Sequence, residues 1–230
     1  MTQADAQVVA AQLGRAPRGL RAVAHRCPCG LPDVVETAPR LDDGTPFPTL
    51  YYLTCPRAAA AVSRLEAAGV MRQMQQRLAT DAALRASYLA AHRDYLARRD
   101  EAARAAGVAP LPPGTQSAGG MPTRVKCLHA LAAHELAVPG ANPLGREAVT
   151  AAGPWWAAGP CVDPRDEDTP QTPGRTPHEA CGLAVSRRRD SASPGGHPPE
   201  PPVPPAPPPC APPARPCEAP GRAPARGAED

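Results

Sequence analysis

Thr49-Leu50-Tyr51-Tyr52-Leu53-Thr54-Cys55-Pro56 is the stretch on which the fold turns. Its first six residues form the most strand-like run in the chain, rich in the types that pack on a pleated sheet. Pro56 suits the first position of a helix, where a missing N–H costs nothing. A strand that passes straight into a helix reads as α+β. Working backwards, residues 20–26 alternate apolar and polar until Cys27-Pro28-Cys29-Gly30-Leu31-Pro32 interrupts them, and Asp33-Val34-Val35-Glu36-Thr37 follows. This predicts two short strands joined by a Pro/Gly turn, with residues 41–48 as a second turn. Before them, residues 3–13 suit a short helix, with Thr2 as N-cap and Gly14 after its end.

Working forwards, Val62 and Leu65 give the helix that starts at Pro56 an apolar stripe, which Gly69 interrupts. A short helical segment over 71–78 follows. A long helix is predicted from Asp81 to Ala106 with Thr80 capping it, because Leu84, Tyr88, Ala91 and Tyr95 fall on one face. Residues 107–120 form a Gly/Pro-rich connector, Pro122 opens a helix to about Ala137, and Asn142-Pro143 opens a last short one. The expected class is α+β: mainly helical, with a small antiparallel sheet of about three short strands.

The 34 prolines divide this domain from the rest of the chain: 15 lie in residues 1–163 and 19 in 164–230. The second segment has no Trp, Tyr, Phe, Ile or Met, so it cannot bury enough apolar surface to offset its ordering entropy. It is predicted to be a disordered tail, and 1–163 a single globular domain. That domain carries 17 basic and 13 acidic side chains, too small an excess to argue for a nucleic-acid partner. The arginines of 93–104 alternate with Asp94, Asp100 and Glu101, as on an exposed ion-paired face. No run approaches ~18 apolar residues, so no membrane insertion is expected. The first residues lack the basic and apolar regions of a secretory signal, which points to the cytoplasm. There, cysteines are thiols or metal ligands rather than disulfides.

The cysteines of residues 1–163 lie at turns and element boundaries, as metal ligands do. Cys27, Cys55, Cys127 and His129 are the leading candidates for a zinc site, which needs four tetrahedral donors; Cys29, His134 and Cys161 are secondary. Paired C-x2-C motifs are absent. Cys27 and Cys29 share an ion only if Pro28 and Gly30 bend the chain, since they point to opposite faces of a regular strand. Cys127 and His129 share one only if Cys127 precedes the helix proper, because two helical residues so spaced point ~200° apart. Buried cysteines also serve simply as small apolar residues. Alternatively Cys55, at a helix N-terminus whose dipole lowers a thiol pKa, or Cys127 is a nucleophile, with His129 or His134 as base. Arg124 and Lys126, beside the Gly-rich connector at a predicted helix start, are candidate anion ligands.

Several segments together carry a resemblance: Cys27-Pro28-Cys29-Gly30 with Pro32, Thr45-Pro46-Phe47-Pro48-Thr49, Tyr52-Leu53-Thr54-Cys55-Pro56, Arg124-Val125-Lys126-Cys127-Leu128-His129 and Asn142-Pro143-Leu144-Gly145. Over about residues 5–163 the chain resembles the bacterial, mainly actinobacterial, family catalogued as domain of unknown function 501. The resemblance implies a cytoplasmic housekeeping role and places Cys27, Cys55, Cys127 and His129 within the family's motifs. It implies no activity. Three readings stay open: a zinc site with a structural or regulatory role, an enzyme with a cysteine nucleophile acting on a phosphorylated or acyl substrate, and a protein-interaction adaptor.

Overall fold

A computed structural model describes residues 1–163; the predicted tail lies outside the described residues. The chain runs α1 (Gln3–Leu13), β1 (Leu20–Arg26), β2 (Pro32–Thr37), β3 (Tyr51–Leu53), α2 (Pro56–Ala67), α3 (Val70–Thr80), α4 (Ala82–Ala105), α5 (Leu128–Ala137) and α6 (Pro143–Ala152). The three strands form one antiparallel sheet in the order β1-β2-β3. Val34 pairs with Leu53 and Val35 with Tyr52, while β1 reaches β2 through three register shifts. The sequence expectation of a mainly helical α+β domain with three short strands holds.

The cap signals explain most of the helix ends. Thr2 and Asp5 make a reciprocal capping box at α1, and Gly14 closes it with a left-handed φ of 64°. Asn142 Oδ1 accepts from Gly145 N–H at the start of α6. Two expected helix starts are corrected. α4 is capped by Asp81, whose Oδ1 accepts from Leu84 N–H at 2.9 Å, and not by Thr80, whose hydroxyl turns back to Gln76 and Arg77 carbonyls. α5 begins at Leu128 and not at Pro122. Side chains from α2, α3 and α4 hold residues 124–128 open: Val125 N–H donates to Gln75, Leu128 N–H to Glu66, and Tyr88 OH donates to the Arg124 carbonyl.

The core lies between the sheet and the helices. Val34, Leu50, Tyr51 and Leu53 meet Leu84, Tyr88 and Tyr95 of α4 and Leu128 and Leu131 of α5. Tyr95 is fully buried, and its hydroxyl accepts the Leu50 N–H at 2.6 Å. The apolar stripe of α4 continues past Tyr95 onto Arg99, which corrects the expectation that this arginine is part of an exposed face. Arg99 is buried, and its guanidinium donates to the carbonyls of Pro48, Thr115 and Gln116. Arg93, Glu101 and Arg104 are exposed as expected, and the half-buried Arg98 pairs with Asp94 at 2.8 Å. α5 and α6 approach at Gly145, where an added Cβ would sit 2.2 Å from the Leu131 carbonyl oxygen.

Candidate metal centre

The last turns of α2 face the start of α5. Ala59, Ser63 and Glu66 stand at i, i+4 and i+7 and so share one side of α2. Against that side lies His129, in the first turn of α5 and buried. Cys127 is the residue before the helix, with an extended backbone (φ −155°, ψ 110°). That geometry satisfies the condition for Cys127 and His129 to face one point. Among the described residues, the ligand atoms of Glu66, Cys127 and His129 lie within 4.8 Å of one another.

The imidazole orients the group. His129 Nε2 is 3.1 Å from the Ala59 carbonyl, which can only accept, so Nε2 carries a proton. Ser63 Oγ lies 3.2 Å from the same nitrogen. Nδ1 faces Glu66 Oε1 at 3.2 Å and Cys127 Sγ at 3.9 Å. Burial pulls the imidazole pKa down, but hydrogen bonds to Cys127 and Glu66 outweigh it and raise the value to about 10. Burial likewise opposes ionisation of Glu66, yet His129 and the Leu128 N–H hold its carboxyl below the ordinary value.

This arrangement is one that could hold a metal. A metal-bound histidine commonly donates its second ring N–H to a backbone carbonyl, as Nε2 does here. Tetrahedral zinc with bonds of about 2.0–2.3 Å holds its ligand atoms roughly 3.3–3.6 Å apart, close to the two separations at Nδ1. In a hydrolytic triad nucleophile and carboxylate occupy opposite ring nitrogens. Cys127 and Glu66 instead both face Nδ1, while Ser63, which does lie opposite Glu66, shares Nε2 with the Ala59 carbonyl that holds its proton.

The expected quartet does not gather. Cys127 and His129 come together, whereas Cys27 and Cys55 stand in other places. Glu66 takes part instead, and sequence reasoning missed it. The only signal was its spacing from Ser63 on a face without large apolar residues, which gains meaning once α5 packs there. Cys27 and Cys29 meet across the β1–β2 turn, closed by Gly30 N–H to Cys27 O at 2.8 Å, with burial pushing the Cys27 thiol up to about 11. Cys55 does precede α2, and the Arg57 and Ala58 N–H groups face its sulfur. Its thiol is nevertheless pushed up, by the adjoining Cys161 sulfur and by burial, so the expected dipole activation is outweighed. His134 is fully buried, stacked on Tyr51 and bonded through Nε2 to Asp94 at 3.1 Å.

Arg124 and Lys126 are exposed and border a cleft of about 230 Å³ with His92, Thr115 and Thr123. They precede α5 rather than sit on its first turn, and the Leu128 N–H is already taken by Glu66. The helix end has recruited the protein's own carboxylate.

A family model described as "Protein of unknown function (DUF501)" matches residues 23–150. No curated protein and no solved structure matches the chain. Among the described residues, no helix is long and apolar enough to cross a membrane.

Proposed function

The chain belongs to the DUF501 family of proteins of unknown function, and from that premise we propose that it binds one zinc ion through Cys127 Sγ, His129 Nδ1 and a Glu66 carboxylate oxygen. The observation that carries this reading is the His129 ring, whose Nε2–H is tied to the Ala59 carbonyl while Nδ1 faces both other donors. The role is structural or regulatory: the ion ties the end of α2 to the start of α5, where Cys127 and Glu66 have no covalent link. A thiolate, an imidazole and a carboxylate suit zinc, and three protein donors leave the fourth position to water, which favours an exchangeable, regulatory ion over a closed structural one. Five unbridged cysteines among the described residues agree with a reducing cytoplasm.

Metal analysis of the purified full-length protein tests this. One equivalent of zinc is expected, lost in Cys127→Ser and His129→Ala and retained in Cys27→Ser. Metal-free protein that takes up neither zinc nor cobalt would overturn the zinc reading, and fast alkylation of Cys127 in that protein would support the cysteine-nucleophile reading instead.

A further inference from the structure

A second thiol pair lies apart from that centre. Cys55, at the β3–α2 junction, is 1% exposed, and Cys161, in the segment after α6, is partly exposed. The two stretches are held side by side: Arg57, two residues after Cys55, donates to the Gly159 carbonyl, two residues before Cys161, and Cys161 packs against the cluster that contains Cys55. Gln12 distinguishes the two sulfurs. Its Nε2 donates to the Pro32 carbonyl at 2.7 Å and to Cys161 Sγ at 3.2 Å. A carbonyl only accepts, which fixes the amide nitrogen, and its second N–H leaves the Cys161 sulfur as an acceptor. Cys161 Sγ thus accepts from Gln12 and is the more exposed of the two sulfurs, which favours it as the thiolate of the pair.

The Arg57 guanidinium adds charge and also binds the segment in place, through the Gly159 carbonyl at 2.7 Å. The adjoining Cys55 thiol, together with Gln12 and Arg57, outweighs burial and lowers the Cys161 pKa from its ordinary value. An accessible thiolate backed by a buried thiol is the arrangement of a peroxide-sensing pair.

We propose that Cys161 is the site at which a hydroperoxide oxidises this chain and that Cys55 resolves the product to a Cys55–Cys161 disulfide. In the first step the Cys161 thiolate sulfur attacks one peroxide oxygen, the O–O bond breaks, and the departing hydroxide takes up the proton that Cys161 had released, leaving Cys161–S–OH and water. In the second, the Cys55 sulfur attacks Cys161, the S–S bond forms, and the sulfenic oxygen leaves with the Cys55 proton as water. Two thiols and one hydrogen peroxide thus give one disulfide and two waters. The bridge fastens the segment after α6 to the junction of β3 and α2. The proposal does not rest on the metal reading.

The test is peptide mapping of the reduced full-length chain, carrying Cys181→Ser, Cys210→Ser and Cys217→Ser, after brief exposure to hydrogen peroxide with chelator present. A linked Cys55–Cys161 peptide is expected, with Cys27, Cys29 and Cys127 unmodified. Cys55→Ser should accumulate a Cys161 sulfenic acid that dimedone traps, and Cys127→Ser should bridge normally. Gln12→Leu, which keeps both sulfurs, should slow bridging about tenfold. A Cys27–Cys29 bridge formed first, or bridging unaffected by Gln12→Leu, would overturn the proposal, as would peroxide leaving Cys161 reduced.

Discussion

Gly145→Ala separates two opposing effects whose signs differ. In an exposed helix interior, replacing glycine by alanine stabilises by about 1 kcal/mol. Gly145 instead faces the backbone of α5, where the new Cβ would lie 2.2 Å from the Leu131 oxygen and 2.8 Å from its carbon. Ordinary contact begins at 3.4 Å, so α6 must retreat by about 1.2 Å. The obstacle is main chain and cannot rotate away. Leu144 and Ala148, both fully buried, move with the helix. A gap of 0.5–1 Å forfeits roughly a quarter to a half of each van der Waals contact it opens, and overpacking typically costs about 1–3 kcal/mol. With the backbone as obstacle we take the upper end, which leaves a net loss of about 2 kcal/mol. For a urea slope of about 1–3 kcal/mol/M, the midpoint falls by about 1 M. Urea unfolding followed by circular dichroism, with chelator present, measures it. A variant as stable as the parent, or more stable, would refute the close approach of α5 and α6.

Four further outcomes follow from the same geometry. In metal-free protein, Glu66→Ala should destabilise by about 1–3 kcal/mol, since the Leu128 N–H and His129 both lose their acceptor; Glu66→Gln should recover part of this in the same urea assay. Asp81→Ala should cost about 1 kcal/mol as a lost helix cap, whereas Thr80→Ala should stay within about 0.5 kcal/mol. Burial lowers the His134 pKa from its ordinary 6.5, so the unfolded chain takes up that proton first as pH falls. Stability is therefore lost as pH drops below 6.5, and His134→Gln should flatten the fall of the urea midpoint between about pH 7 and 5. Finally, a Cys55–Cys161 bridge closes a loop of about 100 residues and should raise stability by roughly 4–5 kcal/mol, read as a higher melting temperature after oxidation.

Features with a local cause were legible in the sequence. Thr2, Gly14, Pro56 and Asn142 act within a few residues of themselves, and each marks the boundary its chemistry suggests. The run at 49–54 packs on the sheet because its side chains suit nothing else in so aromatic-poor a chain. What depends on a partner distant in sequence was not legible. Pro122 looked like a helix start, but the start of α5 is decided by Glu66 on another helix. Two of the three donors of the candidate centre, Cys127 and His129, were visible as a motif. Glu66 was not, because an acidic residue in a charged helix has nothing to distinguish it until α5 packs against it. Arg99 was misjudged as surface although the i+4 step from Tyr95 lands on it, since a charge is assigned to water unless its acceptors are known.

Those acceptors have a consequence for how the protein opens. Pro48 precedes β3, while Thr115 and Gln116 belong to the Gly/Pro-rich connector, and both stretches end on one buried guanidinium. Neither can lift away alone without leaving that charge short of partners inside the protein. The connector, which has little regular structure of its own, is thereby joined to the sheet in a single cooperative unit. Its amides should exchange with solvent hydrogen together with those of the loop before β3.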